Sequence, residues 1–354
     1  MKRRHFMALD THCQFCELVA MTERGVVVRR DRAATTIPDL VAAIAHVPRP
    51  RFLVIEEGPI ADWLYRNLVG HVDEMVVCDP RRNHLVAKES DKDDPIDAEK
   101  LAHLYRGGYV KRVHHPESVE RVLFKRLVAL YHDRVRQRVR EANRLMSQFR
   151  RCGVFVHESG FAAPADRPAL VARLPDHAVL QASIELLWKS YDAVAAQVVE
   201  LRRHVVRLGR AEPQVRRFTG LPGIRWVRAV TFFVFVDTPW RFASKSALWR
   251  YLGIGLERRH SGSGPVLVGV APNANRTLKN MILGAAKSAI ASGDNPFAQQ
   301  HERWCTMGLS PRNARRNVAR SLAATLWGMW KNGGGYRPEW VGVAAASLAA
   351  RPSR

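Results

Sequence analysis

The sequence predicts a mixed α/β domain at the beginning of the chain and a mainly helical region after it. In the first hundred residues, short apolar runs alternate with segments of helical periodicity, and several of these runs end on a carboxylate. From residue 118 to 149, by contrast, the chain contains no glycine or proline, and apolar residues recur at helical spacing. A chain of 354 residues is long enough for two such domains.

The N-terminal elements are predicted from these runs and from the turn residues between them. An antiparallel meander of three strands comes first, with Glu23-Arg24-Gly25 as a turn. The predicted order is strands over residues 6–10, 15–20 and 26–28, a helix over 37–45, a strand over 52–55, a helix over 60–68, a strand over 75–78 and a helix beginning near residue 94. The order βββαβαβα is that of an RNase H-like fold with a mixed sheet.

Four carboxylates are the candidate site residues of this domain. Asp10 and Glu56 each follow an apolar strand, and sites in open α/β sheets form beyond the carboxyl ends of strands. Asp94 and Asp97 lie three residues apart, on one face of the predicted helix. Four such carboxylates suit two-metal phosphoryl transfer with Mg²⁺ or Mn²⁺. Glu57 is the alternative to Glu56, and the simpler interpretation of the aspartates is helix capping.

The charge of the chain predicts a polyanionic partner. The formal net charge is +23, and a chain rich in arginine suits a phosphate-rich ligand. The sequence has no apolar run of about eighteen residues and no recognisable signal peptide, so we expect a cytosolic protein with no membrane partner.

The region after residue 112 is predicted to contain a helical hairpin. Two long helices, over about 118–149 and 180–208, would pack as an antiparallel hairpin or short coiled coil that carries many arginines. Such a hairpin is predicted to dimerise and to follow a nucleic-acid backbone. The expected domains are residues 1–112, 113–212 and 213–354.

Two motifs stand out in the last domain. Gly220-Leu221-Pro222-Gly223 resembles the turn of a helix-hairpin-helix element, whose backbone N–H groups bind phosphate. The segment Arg258-Arg259-His260-Ser261-Gly262-Ser263-Gly264 predicts a cationic loop that brings a hydroxyl group to a phosphate. The alternative interpretation of this loop is a plain serine–glycine linker.

Together these residues resemble the DEDD transposases of insertion-sequence family 110. Ala8-Leu9-Asp10, Val54-Ile55-Glu56 and the segment from Asp94 to Ala102 resemble the family's N-terminal domain, and residues 220 to about 291 resemble its mainly α C-terminal domain. The resemblance implies a RuvC-like fold, a coiled-coil insertion and a nucleophilic serine at Ser261, with Ser263 as the alternative. Arg258, Arg259, Asn275 and Arg276 are the expected nucleic-acid contacts.

The expected function is that of a DNA transposase or recombinase that forms a covalent phosphoserine–DNA intermediate. The resemblance implies DNA and a structured guide (bridge) RNA as partners, a homodimer or homotetramer, and a prokaryotic, nucleoid-associated location. The alternatives are a RuvC-like endonuclease that uses water, and a noncatalytic nucleic-acid-binding protein.

Overall fold

The chain forms two compact units, Met1–His115 and Pro116–Arg354. The computed structural model describes residues 3–83, 94–116, 118–161, 163–259, 267–270, 274–339 and 341. A mixed α/β sheet in the first unit and a mostly helical second unit confirm the predicted fold class at that level. The RuvC-like assignment and the division of the second unit at residue 212 stay predictions.

The first unit is built on one five-stranded sheet. Its described residues form β1 (His5–Thr11), β2 (Phe15–Thr22), β3 (Val27–Ala34), α1 (Ile37–Ala45), β4 (Arg51–Glu56), α2 (Ala61–Leu68), β5 (Glu74–Cys78), α3 (Pro80–Asn83) and α4 (Asp94–Arg106). The strand order is β3-β2-β1-β4-β5. β1, β2 and β3 form the predicted antiparallel meander, whereas β4 and β5 continue the sheet in parallel with β1.

Alternating residues divide the core of this unit between the two faces of the sheet. Met7, Leu9, Leu53 and Ile55 belong to the core that lies against α1 and α2. Ala8, Val19, Val54 and Val76 belong to the other core, which includes Ala98, Leu101 and Ala102 of α4. The parity of a strand residue therefore tells which helix it faces.

The second unit is formed mainly by helices. Its described elements are α5 (Val119–Arg151), α6 (Arg167–Val171), α7 (Ala178–Ala211), α8 (Pro213–Phe218), α9 (Trp226–Val236), α10 (Lys245–Tyr251), β6 (Leu256–Arg259), β7 (Leu267–Val270), α11 (Arg276–Ala291), α12 (Pro296–Thr306) and α13 (Pro311–Asn332). Among the described residues, no helix is both long and apolar enough to cross a membrane.

The long helices α5 and α7 pack against each other, as the predicted hairpin requires. Phe149, Phe161 and Ile184 form the core of its distal end. At the other end, Val128 and Val205 join the main core of the unit, which is built around the fully apolar stretch of α9. The hairpin is thus continuous with the helices that follow it.

The turn between α8 and α9 lies directly against α11. Gly223 has φ +77°, and a Cβ atom there would lie 2.2 Å from the carbonyl oxygen of Ala285, so a glycine is required. Arg228 donates to the Gly223 carbonyl at 2.6 Å and to Ser288 Oγ at 2.9 Å. These bonds hold the turn in one position relative to α11.

His132 connects α5 to α9. Its Nε2 atom lies 2.8 Å from Thr231 Oγ1, and Thr231 uses its own proton to donate to the Val227 carbonyl at 2.7 Å. Nε2 is therefore the donor, and the proton of the neutral ring is on that atom. Burial, together with the charge of Arg136, lowers the pKa of His132 to about 4.

This lowered pKa predicts acid sensitivity of the second unit. In the unfolded chain His132 becomes protonated below about pH 6.5, whereas in the folded protein it stays neutral down to about pH 4. The free energy of unfolding therefore falls as the pH falls through this range. The expected contribution is up to about 3 kcal/mol. Urea unfolding at pH 7 and pH 5 measures it: His132→Gln should lower the pH dependence, and His204→Gln on α7 is the control. Equal pH dependence in all three proteins would contradict the prediction.

Candidate active site

Asp10 and Glu56 lie on one face of the sheet, at neighbouring strand ends. Asp10 follows Ala8 by two residues and Glu56 follows Val54 by two, so both are on the face that α4 covers. β1 and β4 are parallel, with Leu9 paired to Ile55, and the two acids are the residues that come next. Both side chains are partly buried. The sequence-predicted pair is therefore brought together.

The helix α4 runs antiparallel to β1. Tyr105, near its end, packs edge-on against Phe6 at the beginning of β1, with ring centroids 5.8 Å apart. Arg106 donates to the Glu23 carbonyl in the turn that follows β2. From Tyr105 back to Asp97 the helix covers about 12 Å, and from Phe6 to Asp10 the strand covers about 13 Å. The first turn of α4 therefore lies level with Asp10.

The two aspartates of α4 are located by this geometry. Asp97 is exposed and directly precedes Ala98, which is fully buried against the sheet. Asp94 is the first residue of α4, one turn before Ala98, and its side chain lies outside the described residues. Glu99, on the same turn, makes an ion pair with Arg30 of β3 at 2.5 Å. Asp97 and Glu99 thus place carboxylates of α4 near the sheet edge that carries Asp10 and Glu56.

Two neighbours of Asp10 were missed by the sequence reasoning. Glu17 of β2 is paired directly with Asp10, and cross-strand partners share a face. Its side chain is only 13% exposed and makes an ion pair with Arg32 of β3. His12 Nε2 lies 3.1 Å from Asp10 Oδ2. Alternation along the chain could have indicated His12, two residues after Asp10, but the partner of Asp10 on β2 depends on the strand register.

The concentration of negative charge on this face works against folding. Like charges on directly paired residues destabilise a sheet, and here Asp10 faces Glu17 with Glu56 on the adjacent strand. His12 and Arg32 offset part of this repulsion. Such an arrangement is typical of a site that binds a cation.

Other acids near these strand ends have different surroundings. Glu57 is exposed, and its backbone N–H donates to the Cys78 carbonyl at 2.8 Å. Its parity directs it away from the face of Glu56. Asp79 accepts the backbone N–H of Arg81 at 3.1 Å, as a turn residue does. The geometry therefore favours Glu56 over Glu57 as the partner of Asp10.

The donor chemistry of this face fits Mg²⁺ or Mn²⁺, since both ions prefer carboxylate oxygens. Within the described residues, no three Asp, Glu, His or Cys side chains are close enough together to hold one ion. An ion held by Asp10 and Glu56 would need further ligands, and the beginning of α4 carries the candidates Asp94 and Asp97.

The candidate residues of the second unit are only partly described. Ser261 and Ser263 lie outside the described residues, and Arg258 and Arg259 are described only as backbone of β6. Asn275 caps α11, because its side chain accepts the Leu278 backbone N–H at 3.0 Å. Arg276, the first residue of α11, is exposed. A contact between nucleic acid and Asn275 or Arg276 stays a prediction.

Comparison with known proteins agrees with the N-terminal resemblance. Residues 7–153 match the family model described as Transposase, the DEDD type of insertion-sequence family 110. The chain is also 25% identical over 153 residues to a protein of Sinorhizobium fredii described as "Putative transposase y4pF/y4sB". That match covers 42% of this chain and 39% of the relative. The family match begins in β1 and continues through α4 into α5, so it includes Asp10, Glu56, Asp94 and Asp97.

Proposed function

We propose that the protein is a DNA transposase that cleaves and rejoins DNA strands. The observation that carries the proposal is the pairing of Asp10 and Glu56 at adjacent parallel strand ends, on the face covered by α4. The family match over residues 7–153 supports it independently. Asp10, Glu56, Asp94 and Asp97 would together hold Mg²⁺ or Mn²⁺.

The bound ions would supply Lewis-acid stabilisation of the charge that develops on the phosphate. The chain's own residues position and balance this charge. Asp10 and Glu56 are held by the sheet and Asp97 by a helix whose inner face is buried, so the carboxylates keep their spacing without rearrangement. His12 restrains the Asp10 carboxylate through the contact to Oδ2.

The nucleophile in this proposal is Ser261. Its oxygen forms a bond to the scissile phosphorus, the bond from that phosphorus to a deoxyribose oxygen breaks, and the serine proton is passed to the departing oxygen through solvent. The phosphodiester energy is kept in the serine ester, so rejoining to a new strand needs no other energy source. Arg258 and Arg259 would neutralise the phosphate during both steps.

The proposal includes a guide RNA and an oligomer. A structured RNA encoded beside the gene would pair with donor and target DNA, and two DNA duplexes would be joined by a dimer or tetramer. Purification of the protein from cells that carry the gene with its natural flanking DNA, followed by sequencing of bound RNA, tests the RNA. One discrete RNA mapping beside the gene is the expected result, and heterogeneous RNA would contradict the guide.

Two other functions make different predictions. A RuvC-like nuclease that uses water would leave free DNA ends and no protein–DNA adduct. A noncatalytic binding protein, in which the acids only cap helices, would not bind Mn²⁺ in a manner that depends on Asp10 and Asp97 together. Titration of the wild type and of Asp10→Asn with Mn²⁺ distinguishes the last case from the enzymes.

Glu56 and Glu57 offer a matched pair of variants. Glu56→Gln should lower recombination about 100-fold, equivalent to about 2.7 kcal/mol of lost transition-state stabilisation. Glu57→Gln should stay within about twofold of wild type, because its backbone bond to Cys78 is kept. The measurement counts recombined junctions by quantitative PCR in cells that carry the gene and its flanking DNA. The opposite ranking would identify Glu57 as the ligand.

A further inference from the structure

The second unit contains a large cleft beside the base of the hairpin. Its walls are the described parts of α5 and α7, the turn from Thr219 to Arg225, the start of α9, and α11. Its volume is about 1950 Å³. Pockets for small molecules are typically about 300–1,000 Å³, so this cleft is large enough for part of a polymer.

The charged side chains that line the described part of the cleft are positive. Arginines from three separate segments converge on it: Arg136 of α5, Arg202, Arg203, Arg207 and Arg210 of α7, and Arg225 and Arg228 at the start of α9. Among the described residues that line the cleft, none is an aspartate or a glutamate. Arg136 is paired with Asp133 at 3.3 Å, whereas the arginines of α7 and Arg225 make no ion pair with a described carboxylate. Like charges brought together without such partners cost stability, which favours an anion bound between them.

Three of these arginines are available to a ligand. Arg202, Arg203 and Arg225 are exposed, and within the described part of the chain their side chains make no hydrogen bond or ion pair. Arg210, by contrast, lies over the Trp226 ring at 5.4 Å, and Arg228 is used to hold the turn. Arg202, Arg203 and Arg225 can therefore bind an anion without losing a contact that stabilises the fold.

The spacing of the arginines suits a row of phosphates. Residues 203, 207 and 210 recur on one face of α7, and from Arg202 to Arg210 the helix covers about 12 Å. One strand of a duplex presents three to four phosphates over that length, at about 3.4 Å each. The beginning of α9 forms the opposite wall, and its cap residue, Arg225, provides no side-chain cap. The backbone N–H groups in the first turn of α9, which have no side-chain cap, add positive potential to the cleft.

We infer that this cleft binds the phosphate backbone of a nucleic acid, through charge and without reading bases. The inference rests on the proposed function and adds to it a second nucleic-acid surface, distinct from the carboxylate face of the first unit. Trp226 and Tyr131 line the same cleft and are partly exposed, so they can cover sugar and base surfaces next to the phosphates.

The test compares two triple variants that remove the same charge. The first is Arg202→Ala/Arg203→Ala/Arg225→Ala in the cleft. The control is Arg151→Ala/Arg173→Ala/Arg312→Ala, three exposed arginines that do not line the cleft. Full-length protein, in the presence of a chelator, is titrated with labelled RNA, single-stranded DNA and duplex DNA, each about 30 nucleotides long. The titrations are repeated at salt concentrations from about 0.05 M to about 0.3 M.

The cleft variant should bind more weakly at about 0.15 M salt, by about 50-fold for a single strand or about 170-fold for duplex DNA if each arginine neutralises one phosphate. The slope of affinity against salt should fall by about two to three, and the control should change by less than about threefold. The probe whose loss reaches the value expected for its own type of strand identifies the polymer. Arg202→Lys/Arg203→Lys/Arg225→Lys should keep most of the slope, because it keeps the charges.

Equal losses in the cleft and control variants on all three probes would overturn the inference. Circular dichroism and thermal unfolding confirm that each variant is folded, which is expected because the replaced side chains are exposed. Binding is measured in chelator and needs no strand cleavage. If the cleft variant binds nucleic acid normally, the proposed transposase activity is not contradicted. If the protein does not cleave DNA, the proposed binding in the cleft is not contradicted.

Discussion

Replacing Asp10 by asparagine is expected to lower recombination at least about 10³-fold, the largest effect of any single carboxylate. Asp10 is the next-to-last residue of the central strand, with Glu17 paired on one side and the end of β4 on the other. Asparagine keeps the shape and can still accept from His12, but it removes the negative charge that a divalent ion requires. Quantitative PCR of recombined junctions, with immunoblots to equalise protein, measures the effect.

Asp79→Asn is the matched control for Asp10→Asn. Asp79 follows β5, at the same edge of the sheet, but its side chain caps the backbone of Arg81, a role that asparagine can take over. Recombination by Asp79→Asn should stay within about twofold of wild type. If Asp10→Asn keeps more than about a tenth of the wild-type recombination, Asp10 is not a ligand of the proposed metal site.

A second readout separates metal binding from folding. Mn²⁺ should raise the unfolding midpoint of the wild type, because it binds only the folded state, and should not raise that of Asp10→Asn. In chelator the midpoint of Asp10→Asn should be equal to or slightly above that of the wild type, since the variant relieves the repulsion with Glu17. A clearly lower midpoint would mean that Asp10 has a structural role.

Replacing Ser261 by alanine is expected to abolish the covalent protein–DNA adduct and strand joining. A hydroxyl nucleophile has no substitute when its oxygen is removed, and losses of several orders of magnitude are usual. DNA that stays with the protein in denaturing gels measures the adduct. Mn²⁺ binding should be unchanged, because the proposed ligands are all in the first unit.

Ser263→Ala is the control for Ser261→Ala, two residues away in the same serine–glycine repeat. It should form the adduct at a rate within about threefold of wild type. Loss of the adduct in Ser263→Ala with retention in Ser261→Ala would transfer the nucleophile to Ser263. Cleavage by the wild type with free ends and no adduct would support the water-using nuclease instead.

The elements of the first unit could be predicted because their signals are local. The helix Ile37–Ala45 was predicted with the bounds that it has, since Thr36 caps it and a proline follows at its second position. The strands around Ala8 and Val54 were indicated by apolar runs that end on an acid. Helix α7, expected over 180–208, extends to Ala178–Ala211 because His177 caps it three residues earlier than its apolar pattern begins.

The order βββαβαβα of the first unit, apart from the short helix α3, the place of Asp10 and Glu56 at strand ends, and the excess of positive charge could all be predicted from the sequence. These depend on repeats of two or 3.6 residues and on composition, which can be counted along the chain. Three other relations required the folded protein: Glu17 faces Asp10, α4 runs antiparallel to β1, and Arg136, Arg202 and Arg225 share one cleft. Such relations join segments far apart in sequence, and a shift of one residue in strand pairing would reverse the faces without changing any local pattern.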